Sequence, residues 1–336
     1  MNILVTGGGG FLGKALVKRL LSEGHKVRSF ARGAYPELEA LGVDVVRGDL
    51  TKYESIYTAL EGCELVYHVA AKAGVWGSYE SYYDANVLGS ENILKACRAH
   101  GIRYLVNTSS PSVIFDGDDQ EGLDESAPYP ATYLSNYPKT KAMAERLVME
   151  ASDSELLTIS LRPHLIWGPE DTQLIPRVVE QGSAGKLRFV GCGTKLIDAV
   201  YIDNAVEAHV CAAEALMESG SGAGKTYFIT NDEPWAFDKI LNGILNAADV
   251  LPVRKRISAG LAYRIGAVLE MVYSVLGKED EPRMTRFIAL QLATAHWYDI
   301  SAAQRDLGYR PIVSMDEGFK RLTQWFSDQK KKVEHE

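Results

Sequence analysis

Tyr137 and Lys141 stand four residues apart in Tyr137-Pro138-Lys139-Thr140-Lys141. On a helix that spacing puts both side chains on one face. A phenol with a pKa near ~10 is a poor proton-transfer group at neutral pH unless its anion is stabilised. A neighbouring ammonium supplies that, and an oxidised nicotinamide adds more positive charge. The pair suits proton donation to a carbonyl oxygen while hydride reaches its carbon. Pro138 is tolerated near a helix start, where early N–H groups lack intrahelical partners. The spacing alone is common, since Tyr133 also precedes Tyr137 by four. A third group narrows it. Ser110 closes Thr108-Ser109-Ser110 after an apolar run, where a hydroxyl can bind a substrate carbonyl and stabilise oxyanion charge. Ser112 is the alternative. For either serine alone, the plainer reading is a hydroxyl satisfying nearby backbone groups.

Such chemistry needs a hydride carrier, and the first thirteen residues read as its cradle. Ile3-Leu4-Val5 is the short apolar run of a buried parallel strand. Thr6 ends it, and Gly7-Gly8-Gly9-Gly10-Phe11-Leu12-Gly13 leads into a helical pattern from Lys14. Glycine lets the backbone approach a pyrophosphate, and the free N–H groups of a helix start face its charge. Strand before and helix after distinguish this from a flexible glycine turn. The second strand selects the coenzyme. An acid at its end would grip the ribose 2′-hydroxyl of NAD. Here Val27-Arg28-Ser29-Phe30 runs into Ala31-Arg32. A guanidinium binds a 2′-phosphate that a carboxylate would repel, so NADP(H) is expected. The bland alternative is that Arg32 is a solvated surface charge.

The elements that must position these groups follow in order. A helix is expected over 13–22 and strands over 27–30, 43–46 and 65–70. A long helix over 78–99 follows, then strands over 104–108 and 156–161. Repeated strand–helix units predict an α/β fold, a doubly wound parallel Rossmann sheet with right-handed crossovers. Ligands bind beyond the carboxyl ends of such strands. Thr6, Ala31, Ala70-Ala71, Ser109-Ser110 and Arg162-Pro163 should therefore ring one crevice. After Pro169 the alternation stops. The expected division is a coenzyme-binding domain over 1–168, rejoined by roughly 197–231. A smaller mixed α/β substrate lobe covers 169–196 and 232–328, with a tail over 329–336. Tyr227 to Thr230 is a candidate extra strand of the main sheet.

Leu261, Ile265, Val268, Val272 and Leu276 recur at helical spacing within 258–277. Arg264 and Glu270 interrupt the stretch, well short of the ~18 apolar residues a membrane span needs. A core or pocket-lining helix is expected, with a helix lying on a membrane surface as the alternative. Bulk composition is globular, with 46% hydrophobic and 24% charged residues over 336 positions. The net charge of -8 carries no basic block suited to nucleic acid, since Lys330-Lys331-Lys332 falls in the expected tail. Cys63, Cys97, Cys192 and Cys211 are scattered and read as small buried groups in a reducing compartment. The seven histidines form no ligand pattern, so no metal is expected. No signal peptide is evident before the first strand, which points to a cytoplasmic protein, peripheral at a membrane if the 258–277 helix lies on one.

Taken together, these motifs resemble the extended short-chain dehydrogenase/reductase family. The likeness runs from Thr6-Gly7 to Gly13 through Gly48-Asp49-Leu50, His68-Val69-Ala70-Ala71, Asn86 to Gly89, Ser109-Ser110 and Tyr137 to Lys141. It continues in Arg162-Pro163 and Gly308-Tyr309-Arg310-Pro311. Thr108-Ser109-Ser110-Pro111-Ser112-Val113 and Leu161 to Pro169 are similar to the 3β-hydroxysteroid dehydrogenase branch. The resemblance implies that Tyr137 donates or accepts the proton. Lys141 would hold the nicotinamide ribose and lower the tyrosine pKa, and Ser110 would orient the carbonyl. Asp49 and Leu50 would lie by the adenine, and Asn86 would be mainly structural. A homodimer built from helices 78–99 and 132–150 is also implied.

The leading expectation is an NADPH-dependent reductase of a ketone on a bulky, hydrophobic small-molecule substrate, working alone or assembled with enzymes of its pathway. Trp76, Tyr79 and Trp167 are candidates for an apolar pocket wall, although each is more often plain packing. A hydroxysteroid or sterol dehydrogenase would need similar walls. A sugar-nucleotide enzyme would need basic diphosphate contacts, for which Arg177 and Arg188 are available. A non-catalytic dinucleotide sensor could dispense with the tyrosine–lysine pair.

Overall fold

Seven strands form the central sheet: β1 (Asn2–Thr6), β2 (Lys26–Ala31), β3 (Asp44–Arg47), β4 (Leu65–His68), β5 (Tyr104–Thr108), β6 (Leu157–Pro163) and β7 (Lys225–Ile229). The structure is a computed structural model and describes residues 1–335. All strand pairings in this sheet are parallel, in the order β3-β2-β1-β4-β5-β6-β7. The near-continuous apolar runs are explained by cover on both faces. Ile3, Val5, Tyr67, Val106 and Ile159 point into one hydrophobic core. Leu4, Val66 and Leu105, one residue out of phase, point into the other. Helix α1 (Phe11–Ser22) packs beside α4 (Ile202–Ser219) on the first face. Helices α2 (Gly89–His100) and α3 (Asn136–Glu150) pack together on the second. The chain leaves β1 toward β2 and β3, then crosses over to β4. The direction therefore reverses between β1 and β4, where a doubly wound sheet opens its ligand crevice.

The expected strands appear with small shifts, and the chain over 225–229 does join the main sheet beside β6. Three expectations about elements are corrected. The helix expected over 78–99 is not one α-helix: a short turn at Tyr79–Tyr82 and a π-helical stretch at Tyr83–Leu88 precede α2. The wider turn carries the buried Asn86, and such turns often mark functional sites. Helix α5 (Ala259–Val275) is not a core helix, because only Ala262 and Gly266 on it are buried. The residues expected as a tail continue helix α7 (Met315–His335) through His335, and Glu336 lies outside the described residues. Two side chains also differ from expectation. Trp167 is fully buried between Tyr201 and Phe319 and lines no pocket. Cys192 is exposed, not buried. The chain also forms a small four-stranded sheet, ordered Trp235–Ala236, Leu196–Ile197, His296–Tyr298, Gln120–Leu123, to which the first half contributes the last strand. Strands of two to four residues carry too little periodicity to be read in advance.

A buried ion pair pins α3 to the sheet. Arg162 of β6 donates to Glu145 of α3 at 2.7 and 3.0 Å, and the Tyr129 hydroxyl donates to the same carboxylate at 2.6 Å. Both charged side chains are at most 2% exposed. Removing one partner of such a pair strands the other charge in a dry interior. Glu145→Leu should lower the urea unfolding free energy by about 3–5 kcal/mol. Adding Arg162→Met should recover much of that loss. A single variant as stable as the parent would show that the pair does not hold α3 in place.

Candidate active site

The coenzyme cradle is built at the carboxyl end of β1. Gly7 turns at φ +71°, a left-handed conformation that glycine adopts without strain, and its N–H donates to Phe30 O at 2.8 Å. A Cβ at Gly13 would overlap the Gly7 carbonyl oxygen, so the start of α1 folds tightly over the turn. Gly10 caps α1, Phe11 is half-buried, and Leu12 is buried beneath the loop. Ala70 lies against Gly7, while Ala71 is exposed on the rim. A space bounded by bare backbone and a helix start fits a dinucleotide pyrophosphate. At the far end, Arg32 is exposed just past β2. Its neighbourhood holds a second cation that sequence reasoning missed: Arg47 of β3 is the register partner of Ala31 and is also exposed. Among the described residues neither guanidinium is paired with a carboxylate. Parallel pairing places Arg47 level with Ala31, at the same strand ends as Arg32, and only the register of β3 could have signalled it. Asp49 and Leu50 follow β3. One Asp49 oxygen accepts from Thr51 N, and Leu50 O accepts from Asn92.

A chain of hydrogen bonds joins this cradle to α3. Thr6 Oγ1 lies 2.9 Å from His68 Nδ1 and accepts from Ala70 N. His68 Nε2 lies 3.1 Å from Ser90 Oγ, whose hydroxyl donates to Asn86 O. Those partners assign the Nε2–H tautomer. Burial, with the Lys141 ammonium adding to it, holds His68 neutral, its pKa pushed down to about 3. Asn86 accepts from Lys72 N at 2.7 Å and donates to Thr140 Oγ1 at 3.0 Å. Thr140 lies on α3 between Tyr137 and Lys141. The start of α3 is fixed as well. Ser135 caps it by accepting from Tyr137 N and donates to Val75 O, while Asn136 donates to Gly77 O.

Tyr137, Lys141 and Ser110 come together beyond the carboxyl end of β5. Lys141 is buried and its Nζ donates to Thr108 O at 2.6 Å. Burial pushes its ammonium down to about 8, against the opposing pull of Glu145 one turn further along. Tyr137 is half-buried, and desolvation raises its phenol above the usual value; the Ser110 hydroxyl is the one neighbour that favours the anion. The ammonium is spent on a strand carbonyl, and the phenol is neutral at physiological pH, the form that donates a proton. Ser110 also caps the short helical turn Pro111–Ile114 by accepting from Ser112 N, and its Oγ lies 2.9 Å from Ser112 Oγ. The local backbone role and proximity to the phenol therefore coexist. Pro163 ends β6, buried, and two residues on Leu165 is held at φ +45°. That is a costly conformation for a branched side chain, of the kind that gathers at functional sites.

The remaining candidates divide. Trp76 and Tyr79 lie half-buried on the segment after β4. Trp76 Nε1 donates to Lys278 O, and Tyr79 carries the Lys139 ammonium over its ring. Arg177 pairs with Glu281, and Arg188 donates to the carbonyls of Gly185 and Leu187. Both are engaged by other groups of the chain.

Residues 4–258 match the 3-beta hydroxysteroid dehydrogenase/isomerase family. The chain belongs to that family of oxidoreductases, which uses a nicotinamide coenzyme. It is 51% identical to a 2-alkyl-3-oxoalkanoate reductase of Shewanella oneidensis, over 96% of this chain and 85% of that one. It is 34% identical to a decarboxylating sterol-4-alpha-carboxylate 3-dehydrogenase of Mus musculus, over 96% of this chain and 90% of that one. The fold matches a UDP-glucuronic acid 4-epimerase of Bacillus cereus in complex with NAD, with a TM-score of 0.75 and 22% identity over 98% of this chain and 99% of the other.

The site's electrostatics give a direct check. Lys141 should titrate near pH 8 in the coenzyme-free protein, well below the 10.5 of a free lysine. Because its folded value lies below its unfolded one, the unfolded chain holds the extra proton between those values. This group's contribution to stability therefore rises with pH across that window. NMR of the Lys141 side chain reads the midpoint, and a midpoint at or above 10 would contradict the buried placement.

Proposed function

We propose that the protein is an NADPH-dependent reductase that converts a 2-alkyl-3-oxoalkanoate to the 2-alkyl-3-hydroxyalkanoate, a step of long-chain olefin formation. The observation that carries the chemistry is the convergence of Tyr137, Ser110 and Lys141 at the end of β5. The identity to the Shewanella oneidensis enzyme carries the substrate. NADPH, when bound, supplies hydride. Tyr137 gives its proton to the substrate oxygen as charge develops there, and Ser110 donates a hydrogen bond to the same oxygen. Lys141, anchored on Thr108 O, extends its other donors toward the coenzyme ribose. The glycine cradle from Gly7 to Gly13, with Phe11 and Leu12 in it, holds the pyrophosphate. Ala70, Ala71 and Pro163 wall the nicotinamide side, and Asp49 and Leu50 flank the adenine. Arg32 and Arg47 receive the 2′-phosphate.

An acid substrate also suits the rim. Lys72, just after Ala71, donates to Ser81 Oγ at 2.7 Å and lies 4.8 Å from the Tyr82 ring centre. Among the described residues no carboxylate pairs with it, which leaves a cation for the carboxylate of a keto acid. A sugar-nucleotide substrate is disfavoured by the engagement of Arg177 and Arg188 elsewhere. We further propose a homodimer packed through the α2 and α3 region, as the family likeness implies.

The protein should oxidise NADPH in the presence of 2-alkyl-3-oxo acids in preference to 3-ketosteroids. Tyr137→Phe should lower kcat by about 10²–10⁴-fold while NADPH binding is kept. A variant that turns over normally would remove Tyr137 from the reaction. Arg32→Ala and Arg47→Ala should each weaken NADPH by roughly tenfold or more and leave NADH little changed, because each removes a charge-assisted contact. Equal effects on both coenzymes, or a parent enzyme that prefers NADH, would overturn the 2′-phosphate assignment.

A further inference from the structure

Helix α5 is built inside out. An ordinary surface helix turns its large apolar residues inward and its polar ones to water. Here the buried positions are the small Ala262 and Gly266. A Cβ on Gly266 would come within 2.5 Å of the Thr285 backbone, so α5 is pressed against the start of α6 (Arg286–Ala293). Glu270 locks that contact by accepting from Arg286 N and Nε at 2.6 and 2.7 Å. The large residues face outward. Leu261, Ile265, Val268, Met271, Val272 and Val275 are 39–81% exposed, and Leu276 just past the helix is 62% exposed. Recurring every three or four residues, they form one continuous stripe.

Three observations identify what covers it. The exposed stripe is wholly aliphatic or thioether, whereas protein interfaces concentrate their energy in Trp, Tyr and Arg and make little use of Leu and Val. Its amino-terminal flank is cationic in an acidic chain, with Arg254, Lys255 and Arg256 all exposed. Residues 254–286 hold seven Lys or Arg against four Asp or Glu, a net +3, while the whole protein is -8. The stripe also ends at the crevice mouth. Trp76 Nε1 donates to Lys278 O at 2.9 Å and meets Tyr273 edge-on, and Val75 N donates to Glu281. Val75 O in turn accepts from Ser135, the cap of α3. No described helix is long and apolar enough to cross a membrane.

The geometry points to α5 as a docking helix for an anionic lipid surface. Its aliphatic stripe lies at the acyl boundary, and Arg254, Lys255, Arg256 and Arg264 face the headgroups. Docked this way, the protein meets a long-chain substrate at the surface where that substrate partitions. This delivery role rests on the lipid reading above; the docking itself does not.

The test is flotation of the full-length protein with vesicles of phosphatidylglycerol and phosphatidylethanolamine, compared with pure phosphatidylcholine. The parent should float with the anionic vesicles and release as salt is raised. Val268→Asp and Val275→Asp, both at exposed positions, should each cut vesicle binding about tenfold or more. Their thermal melting and their kcat/KM on a short-chain, water-soluble keto acid should stay at the parent's values. If one variant melts early, the other carries the test. Absence of vesicle binding by the parent overturns the proposal. So does a parent that self-associates through this stripe, shown by variants that change its mass in solution and leave vesicle binding intact. Binding without reduction of any keto acid would refute the reductase reading and leave the docking standing.

Discussion

One run of buried hydrogen bonds makes the site possible. It passes from Thr6 through His68, Ser90 and Asn86 to Thr140, from the strand that carries the coenzyme cradle to the helix that carries the phenol. Each link is buried, so each lost partner would leave a polar group unsatisfied at a cost of about 1–3 kcal/mol. The run works only while His68 is neutral, because a protonated ring would offer Thr6 a second donor where an acceptor is needed. Desolvation secures that state. The cradle and α3 are therefore tied to one another, and in the proposed reaction this would bring hydride and proton to one place. The π-helical stretch fits this picture: its wider turn sets Asn86 where it can serve Lys72 N and Thr140 at once.

The same interior holds Lys141 by competing effects. Desolvation weakens its ammonium, Glu145 one turn along strengthens it, and the Thr108 carbonyl fixes its direction. Glu145 is itself committed to Arg162 and Tyr129. The ion pair that ties α3 to β6 thus also sets the field in which the lysine titrates. One residue thus serves both the packing of α3 and the electrostatics of Lys141, as expected when a site is placed on rigid elements and supported from behind.

Much of this was legible in the chain. The strand–glycine–helix run at the start and the Tyr137/Lys141 spacing depend on local geometry, and local geometry is written in adjacent residues. What was hidden depends on partners distant in sequence. Arg47 reaches the strand end that carries Arg32 only through the register of β3 on β2. Lys141 chooses Thr108 O over the phenol because β5 ends beside it. The π-helical turn has no sequence signature beyond an ordinary helical pattern. Helix 258–277 is the most instructive case. Its apolar spacing was plain, but spacing states only that a face exists, not that it turns inward. The small residues on the opposite face, Ala262 and Gly266, decided the matter by letting α5 seat closely on α6 and leaving its bulk outside.

The central claim is that the Tyr137 phenol and the Ser110 hydroxyl act on one substrate oxygen, while the Lys141 ammonium holds the coenzyme beside it. It is tested most directly by a crystal structure of the protein with oxidised NADP and the hydroxy acid product bound. The account predicts the Tyr137 and Ser110 oxygens within hydrogen-bond reach of the same product oxygen, and Lys141 bridging Thr108 O and the nicotinamide ribose. A product oxygen facing any other residue, with Tyr137 turned from the nicotinamide, would contradict it.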